Sequence, residues 1–108
     1  MYNKELEGFL HGTRDKFIIK LNDIEFIQIN EFYTNFEQIK DQLTDIDGYF
    51  PSGIYPFAYD NGGNLICFSD GEVLKGGIYF WDHEKYDEAD NAYELIANDL
   101  AEFEEMLA

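Results

Sequence analysis

The chain has 108 residues, 45% of them hydrophobic, and its 7 Lys and Arg against 23 Asp and Glu give a formal charge of 7 − 23 = −16. This length predicts one domain, and 10 Phe, 8 Tyr and 1 Trp supply enough apolar surface for a core, which excludes a disordered chain. Nucleic acid and anionic membranes are poor partners for such a charge, because both are normally bound by clustered Lys and Arg. A basic protein surface or a cation is its electrostatic complement, unless the charge serves only solubility.

The first predicted element is a β-hairpin in residues 16–30. Phe17, Ile19 and Leu21 alternate with polar residues, and a second apolar run follows at 24–29. Asn22 and Asp23 separate the two runs, as in a hairpin turn.

A helix is predicted next, over residues 35–43. Thr34 is placed to cap its N-terminus, and Glu37, three residues later, can reach back to complete a capping box. Phe36, Ile39 and Leu43 would form its apolar stripe.

Residues 48–77 hold seven of the nine glycines and both prolines, a composition that favours short strands and tight turns. Candidate strands at 54–58, 64–69 and 77–82 form a three-stranded antiparallel meander. The first turn of the meander, at 60–64, consists of residues that accept positive φ easily. We interpret four of its residues as a structural turn rather than as a phosphate or calcium loop: Asp60, Gly62, Gly63 and Asn64.

The tail from residue 82 to residue 108 has ten acidic residues and one Lys, a charge of 1 − 10 = −9. Its apolar spacing suits one amphipathic helix over 91–107. A second secondary-structure assignment places a strand at 92–97 and starts a short helix at the capping-box pair Asp99 and Glu102. Periodicity alone does not decide between these two assignments.

The single Cys67 cannot form an internal disulfide, and it lies in the apolar run NLICF, so we interpret it as a buried core residue rather than a nucleophile. The chain has no run of about 20 apolar residues. It also begins without the basic-then-apolar layout of a secretory signal. These features predict a cytoplasmic protein.

No catalytic motif is present: the sequence lacks a nucleophile elbow, a Cys–His pair at a known spacing, a zincin motif and a phosphate-binding loop. Asp82, His83 and Glu84 are metal-ligand types, but consecutive residues on an extended chain point to opposite sides and cannot all reach one ion. We therefore expect no enzyme activity, no cofactor and no metal.

The stretch PSGIYPFAYDNGGNLICFSDGEVLKGGIYFWDHE, residues 51–84, resembles the SUKH superfamily, the Smi/Knr-type domain. The elements that carry the resemblance are Pro51, Pro56-Phe57-Ala58, Asp60, Gly62-Gly63-Asn64, Cys67 and Tyr79 to Glu84. The closing stretch ELIANDLAEFEEML is also similar to the family and favours the assignment of a strand followed by a short helix. The resemblance is strong over 51–108 and loose over 16–47. The family usually opens with two helices, and only about 15 residues precede Lys16, so we expect a shortened or clipped member.

The resemblance implies an α+β fold over residues 1–108: a single domain with a twisted, largely antiparallel sheet flanked by helices, and with a shortened N-terminal region. Bacterial SUKH proteins look mostly like immunity proteins of toxin systems, whereas fungal relatives are regulators of cell-wall synthesis. We therefore expect an immunity protein that neutralises a toxin, often a nuclease, through an acidic surface. The alternatives are a regulatory or scaffold domain that binds another protein, and a binder of a small ligand or metal.

Nine residues are predicted to face the partner: Tyr59, Trp81, Asp82, Glu84, Tyr86, Asp87 and Glu88, with Asp70 and Glu72 in the adjacent loop. Aromatic anchors would hold the complex, and carboxylates would speed association with a basic cleft. Core packing remains the alternative for Trp81, and plain solvation the alternative for the acids.

Overall fold

The computed structural model describes residues 4–12, 15–35, 37–39, 53–72, 74–85 and 92–107. Its strands are β1 (Ile18–Lys20), β2 (Phe26–Phe32), β3 (Ile54–Asp60), β4 (Leu65–Ser69), β5 (Gly77–Trp81) and β6 (Tyr93–Ala97). Helix α1 spans Lys4–Leu10, helix α2 spans Leu100–Met106, and a 3₁₀ turn spans His83–Lys85. The α+β fold predicted from the sequence is confirmed.

The six strands form one sheet in the order β1-β2-β3-β4-β5-β6, and every neighbouring pair is antiparallel. The hairpin and the meander therefore belong to one continuous sheet, with loops alternating between its two ends. The last residues of the chain close the sheet toward its first strand, because Leu107 forms a bridge with Ile19. The end of α2 therefore lies against the edge strand β1.

One face of the sheet carries the main core, which α1 and α2 cover. Phe57 lies at the centre of this core. Its ring centroid is 5.3 Å from that of Phe9 in α1 and 5.4 Å from that of Phe103 in α2, and both pairs pack edge to face. Edge-to-face aromatic pairs add about 0.5–1.5 kcal/mol to the free energy gained by burial. Leu6 and Leu100 complete the contact between the helices and the sheet.

The opposite face carries a smaller cluster, in which cross-strand neighbours line up. Pairing places Tyr59 beside Leu65, Leu65 beside Trp81, and Trp81 beside Tyr93. Because side chains alternate along a strand, this row points away from the two helices. The buried members of the cluster are Ile54, Leu65, Cys67, Trp81 and Ala92.

Helix α2, which follows β6, starts with a reciprocal cap. The side chain of Asp99 accepts a hydrogen bond from the backbone N–H of Glu102 at 2.8 Å, and the Glu102 carboxylate accepts one from the backbone N–H of Asn98 at 3.3 Å. The assignment of a strand followed by a short helix in the tail is confirmed, and the alternative prediction of a single helix over 91–107 is wrong.

Residues 37–39 are also helical, and the same arrangement begins this helix one position later than the sequence predicted. Asn35, rather than Thr34, accepts from the backbone N–H of Gln38 at 3.0 Å. The Gln38 side chain in turn accepts from the backbone N–H of Thr34 at 2.6 Å. Asn and Thr are both good capping residues, and Gln serves as well as Glu in the reciprocal position. The sequence therefore allowed either residue 34 or residue 35 as the cap. Residues 40–43 of the predicted helix lie outside the described residues.

Within the part of the chain that the structure describes, no helix has the length and apolarity needed to cross a bilayer.

Replacing Asp99 by Ala removes the cap of α2, and we expect the free energy of unfolding to fall by about 1 kcal/mol. Denaturant titration followed by circular dichroism measures this change. Asp99→Asn is the matched control, because Asn caps as well as Asp, and its stability should stay within about 0.5 kcal/mol of the parent. Equal losses in the two variants would contradict a capping role.

Candidate protein-interaction surface

The predicted partner-facing carboxylates that the structure describes fall at two opposite ends of the sheet. Leu65 pairs with Trp81 and Ser69 pairs with Gly77. Asp82 and Glu84 therefore follow β5 at the end where the β3–β4 turn lies, whereas Asp70 and Glu72 follow β4 at the other end. At about 3.3 Å per residue, the five residues of β4 separate the two groups by roughly 17 Å. The expectation that Asp70 and Glu72 lie in a loop beside Trp81 and Asp82 is wrong, because the loops of an antiparallel meander alternate between ends.

We call the first group the turn-end surface. It consists of Glu31, Tyr59, Asp60, Asp82, His83 and Glu84. Glu31 and Glu84 are exposed, and the other four are partly exposed. Its four carboxylates come from three separate parts of the chain.

The β3–β4 turn is built around the carboxylate of Asp60. Its Oδ1 accepts hydrogen bonds from the backbone N–H groups of Gly62 at 2.8 Å and Asn64 at 2.9 Å, and its Oδ2 accepts from the Asn64 side-chain amide at 3.0 Å. Gly63 has φ of +90°, a conformation that favours glycine. The turn is thus held rigidly by its own side chains.

Asn64 also joins this turn to the end of β5. Its Oδ1 accepts from the backbone N–H of His83 at 3.1 Å and lies 2.8 Å from Nδ1 of the His83 ring. Since the Asn64 amide nitrogen donates to Asp60, this oxygen can only accept, so Nδ1 of His83 carries the proton. The ring packs over Gly63, where a Cβ would lie 3.6 Å from Nδ1.

Asp82 and Glu84 are positioned by the 3₁₀ turn that follows β5. The Asp82 Oδ1 accepts from the backbone N–H of Glu84 at 2.9 Å, and the backbone N–H of Asp82 donates to the carbonyl of Ala92 at 2.9 Å. These bonds fix the backbone and leave the Glu84 carboxylate exposed. Glu84 can therefore meet a partner without disturbing the fold.

Tyr59 and Glu31 form the side of the turn-end surface nearest β2. They pair across β2 and β3, and the Tyr59 hydroxyl donates to Glu31 Oε2 at 2.6 Å. This hydrogen bond is the main cause that raises the pKa of Tyr59. Neighbouring Tyr33, whose ring centroid is 5.9 Å from that of Tyr59, has its pKa raised to about 12, chiefly by burial. Both phenols are protonated at neutral pH, and the single O–H of Tyr59 is donated to Glu31.

Trp81 belongs to the core and does not face a partner. Only 4% of its surface is exposed, and it packs with Ile54, Leu65 and Cys67. The expectation that Trp81 serves as a partner anchor is therefore replaced by its core-packing alternative. Cys67 is fully buried, and this burial raises the pKa of its thiol, which suits a core residue and not a nucleophile.

At the opposite end of the sheet, Asp70 has a structural contact. The backbone N–H of Glu72 donates to Asp70 Oδ1 at 2.9 Å, and the backbone N–H of Asp70 donates to the carbonyl of Gly53 at 3.0 Å. Gly53 has φ of +88°, and a Cβ there would collide with the Asp70 carboxylate. Asp70 is partly exposed, and Glu72 is exposed.

The remaining predicted partner residues, Tyr86, Asp87 and Glu88, lie outside the described residues. Within the described ranges, no three His, Cys, Asp or Glu side chains are placed to share a metal ion.

Comparison with known proteins identifies the family. The model of the SMI1 / KNR4 family (SUKH-1) matches residues 4–106. The chain belongs to this family. The SUKH resemblance seen in the sequence is confirmed, and the match starts at α1, well before the region where the sequence resemblance began. No curated protein matched the chain in a search of such proteins. SUKH domains generally bind partner proteins, so a protein-interaction surface is the site to look for.

Sequence reasoning missed two parts of the turn end. Glu31 lies in a strand far from the glycine-rich region, and only the β2–β3 register brings it to Tyr59. The sequence argues against His83 as a metal ligand but assigns it no other role, and the structure shows it as a partner of Asn64. The Asn64–His83 contact spans 19 residues, and no local pattern in the sequence signals it.

The link between the β3–β4 turn and β5 can be tested with Asn64→Ala. This change removes the side-chain bonds to Asp60 and His83 and leaves a partly buried N–H without its acceptor, so we expect a loss of about 1–3 kcal/mol in the free energy of unfolding. Asn61→Ala, at an exposed position in the same turn, is the control and should change stability by less than about 0.5 kcal/mol. Thermal melts of both variants measure the difference. Similar melting temperatures for the two would show that Asn64 does not hold the turn end together.

Proposed function

We propose that this SUKH protein is an immunity protein that binds a toxin domain through the turn-end surface and blocks it without chemistry. The single observation that supports this most strongly is the gathering of four carboxylates at one end of a chain of charge −16. A toxin that cleaves nucleic acid needs a basic cleft for phosphates, and an acidic surface competes for that cleft by the same Coulomb attraction.

The rigidity of the turn end suits this role. Asp60 and Asn64 fix the turn, and Asp82 fixes the start of the 3₁₀ turn, so the carboxylate-bearing backbone is ordered before a partner arrives. Preorganised charges cost less to bind than charges on a flexible loop. The cytoplasmic location and the absence of enzyme activity are part of the same proposal.

The alternative is a regulatory or scaffold domain of the Smi1/Knr4 type that binds a cellular protein. Gene order separates the two: an immunity gene lies directly downstream of a toxin gene, and a regulator gene need not. Gene order also identifies the protein to use in the binding experiment, which is the toxin domain encoded by the neighbouring gene.

Binding through the turn-end surface can be tested with two variants, each of which reverses one charge at one end of the sheet. Glu84→Lys changes the turn-end surface, and Glu72→Lys makes the same chemical change at the opposite end. We expect Glu84→Lys to slow association with the purified toxin domain by about threefold or more at low salt, with the gap closing as salt rises. Stopped-flow or surface plasmon resonance measures this rate.

Glu72→Lys is the matched control, since it alters net charge by the same amount and also lies at an exposed position. Equal association rates for the two variants would contradict binding through the turn end. A slower rate for Glu72→Lys alone would move the interface to the β4–β5 loop.

A further inference from the structure

The β1–β2 hairpin exposes apolar side chains to an unusual degree. Ile24, in its turn, is 86% exposed, Phe26 is 61% exposed and Ile18 is 37% exposed. Single exposed apolar residues are common on protein surfaces, but these three line one shallow hollow of about 200 Å³ together with Lys20. Contiguous patches of this kind mark interaction sites.

The strand register explains why these side chains share a face. Ile18 pairs with Gln28 and Lys20 pairs with Phe26, so these four point to one side, while Ile19 and its partner Ile27 point to the other. Ile19 is fully buried in the core. The core side of the hairpin is thus occupied, and its outer side is left apolar.

The turn that carries Ile24 is rigid. Asn22 Oδ1 accepts from the backbone N–H groups of Ile24 at 2.9 Å and Glu25 at 2.8 Å, and the Asn22 amide donates to the Glu25 carboxylate at 2.8 Å. The backbone N–H of Leu21 also donates to the Glu25 carbonyl at 3.0 Å. Ile24 is therefore held outward by a closed set of hydrogen bonds.

The hairpin projects from the same end of the sheet as the turn-end surface. Ile29 pairs with Asp60, the last residue of β3, and residues 26–28 of β2 continue past it. The hairpin turn thus stands beyond the β3–β4 turn and shares its end of the molecule.

We propose that the hairpin tip, defined as Ile18, Ile24 and Phe26, is the hydrophobic anchor of the interaction, and that its occupant is a partner protein with an apolar pocket bordered by Lys or Arg. This inference rests on the proposed function for the identity of the partner but not for the place of contact. It supplies the apolar contact that buried Trp81 cannot make.

The area of the tip shows that it does not act alone. An aromatic side chain buries roughly 150–250 Å², so one Phe and two Ile fall short of the ~800 Å² per partner of a standard interface. A partner seated on the tip therefore reaches further surface, and the turn-end carboxylates lie at the same end. Cations around the apolar pocket complement them.

Charge also argues against a second copy of this chain as the occupant. Tip-to-tip contact between two copies would bring together Asp23 and Glu25 of each, and the single Lys20 beside each pair offsets only one of the two carboxylates. Like charges placed face to face disfavour association. A basic-rimmed partner meets no such repulsion.

The place of contact is tested by photo-crosslinking in the native cell. The photoreactive residue benzoylphenylalanine replaces Ile24 in one strain and Leu95, which is 40% exposed on the opposite edge strand β6, in another. We expect a discrete adduct from position 24 alone, and peptide mapping should locate it in an apolar pocket with Lys or Arg at its rim. An adduct with a second copy of the chain, or no discrete adduct from position 24, would overturn the inference.

The crosslinked protein separates this inference from the proposed function. A toxin domain as the product supports both. A basic-rimmed protein that is not a toxin supports the hairpin anchor and overturns the immunity role.

The energetic role is tested with the double variant Ile24→Ser and Phe26→Ser against the crosslinked partner. We expect Kd to rise by about 30-fold or more, mostly through faster dissociation and with little change in association rate or salt dependence. Leu95→Ser is the control and should leave Kd within about twofold. Because Ile24 and Phe26 are exposed, melting temperatures should match the parent. An unchanged dissociation rate would overturn the anchor while leaving a charge-driven complex intact.

Discussion

The register of β3, β4 and β5 is the constraint on which the site depends. Leu65 opposite Trp81 brings the β3–β4 turn beside the residues that follow β5, and the Asn64–His83 hydrogen bond joins the two. The same antiparallel order sends the β4–β5 loop to the other end. A slip of one residue would turn each side chain of β4 to the opposite face and separate Asn64 from His83.

Two kinds of force meet at this end of the molecule, and they act at different stages. Carboxylates act over distances of about a Debye length and therefore govern the rate of encounter. Apolar side chains act only on contact and govern how long a complex lasts. In the proposed complex, the turn-end surface would supply the first, and the hairpin tip would supply the second. Each is held by local hydrogen bonds, around Asp60 and Asn22 respectively.

The elements formed by local signals could be predicted from the sequence. Alternating apolar residues located the hairpin, and glycines located the meander. The pair Asp99 and Glu102 located the start of α2, once the family resemblance had favoured one of the two assignments of the tail. The cap near residue 37 was predicted one residue early, because Thr34 and Asn35 are both capping types. Helix α1 was not predicted, since its short apolar face gains stability only by packing on Phe57 and Phe103.

The composition of the site was harder to predict than the fold. The sequence put Asp70 and Glu72 with Asp82 and Glu84, because proximity along the chain was taken for proximity in space. It chose Trp81 as an anchor because Trp is common at interfaces, but a cross-strand row buries it. Ile24 and Phe26 belong to the second apolar run of the predicted hairpin, and only the pairing of β1 with β2 shows which side of the hairpin the core covers.

The claim that one end of the sheet is the interaction surface is tested most directly by amide hydrogen exchange of the protein alone and in complex with the toxin domain proposed as its partner. The account predicts slower exchange on binding in residues 22–28, 60–64 and 82–84, with residues 70–72 and 74–76 unchanged. Protection in the β4–β5 loop, with no change at the turn end and the hairpin, would contradict it.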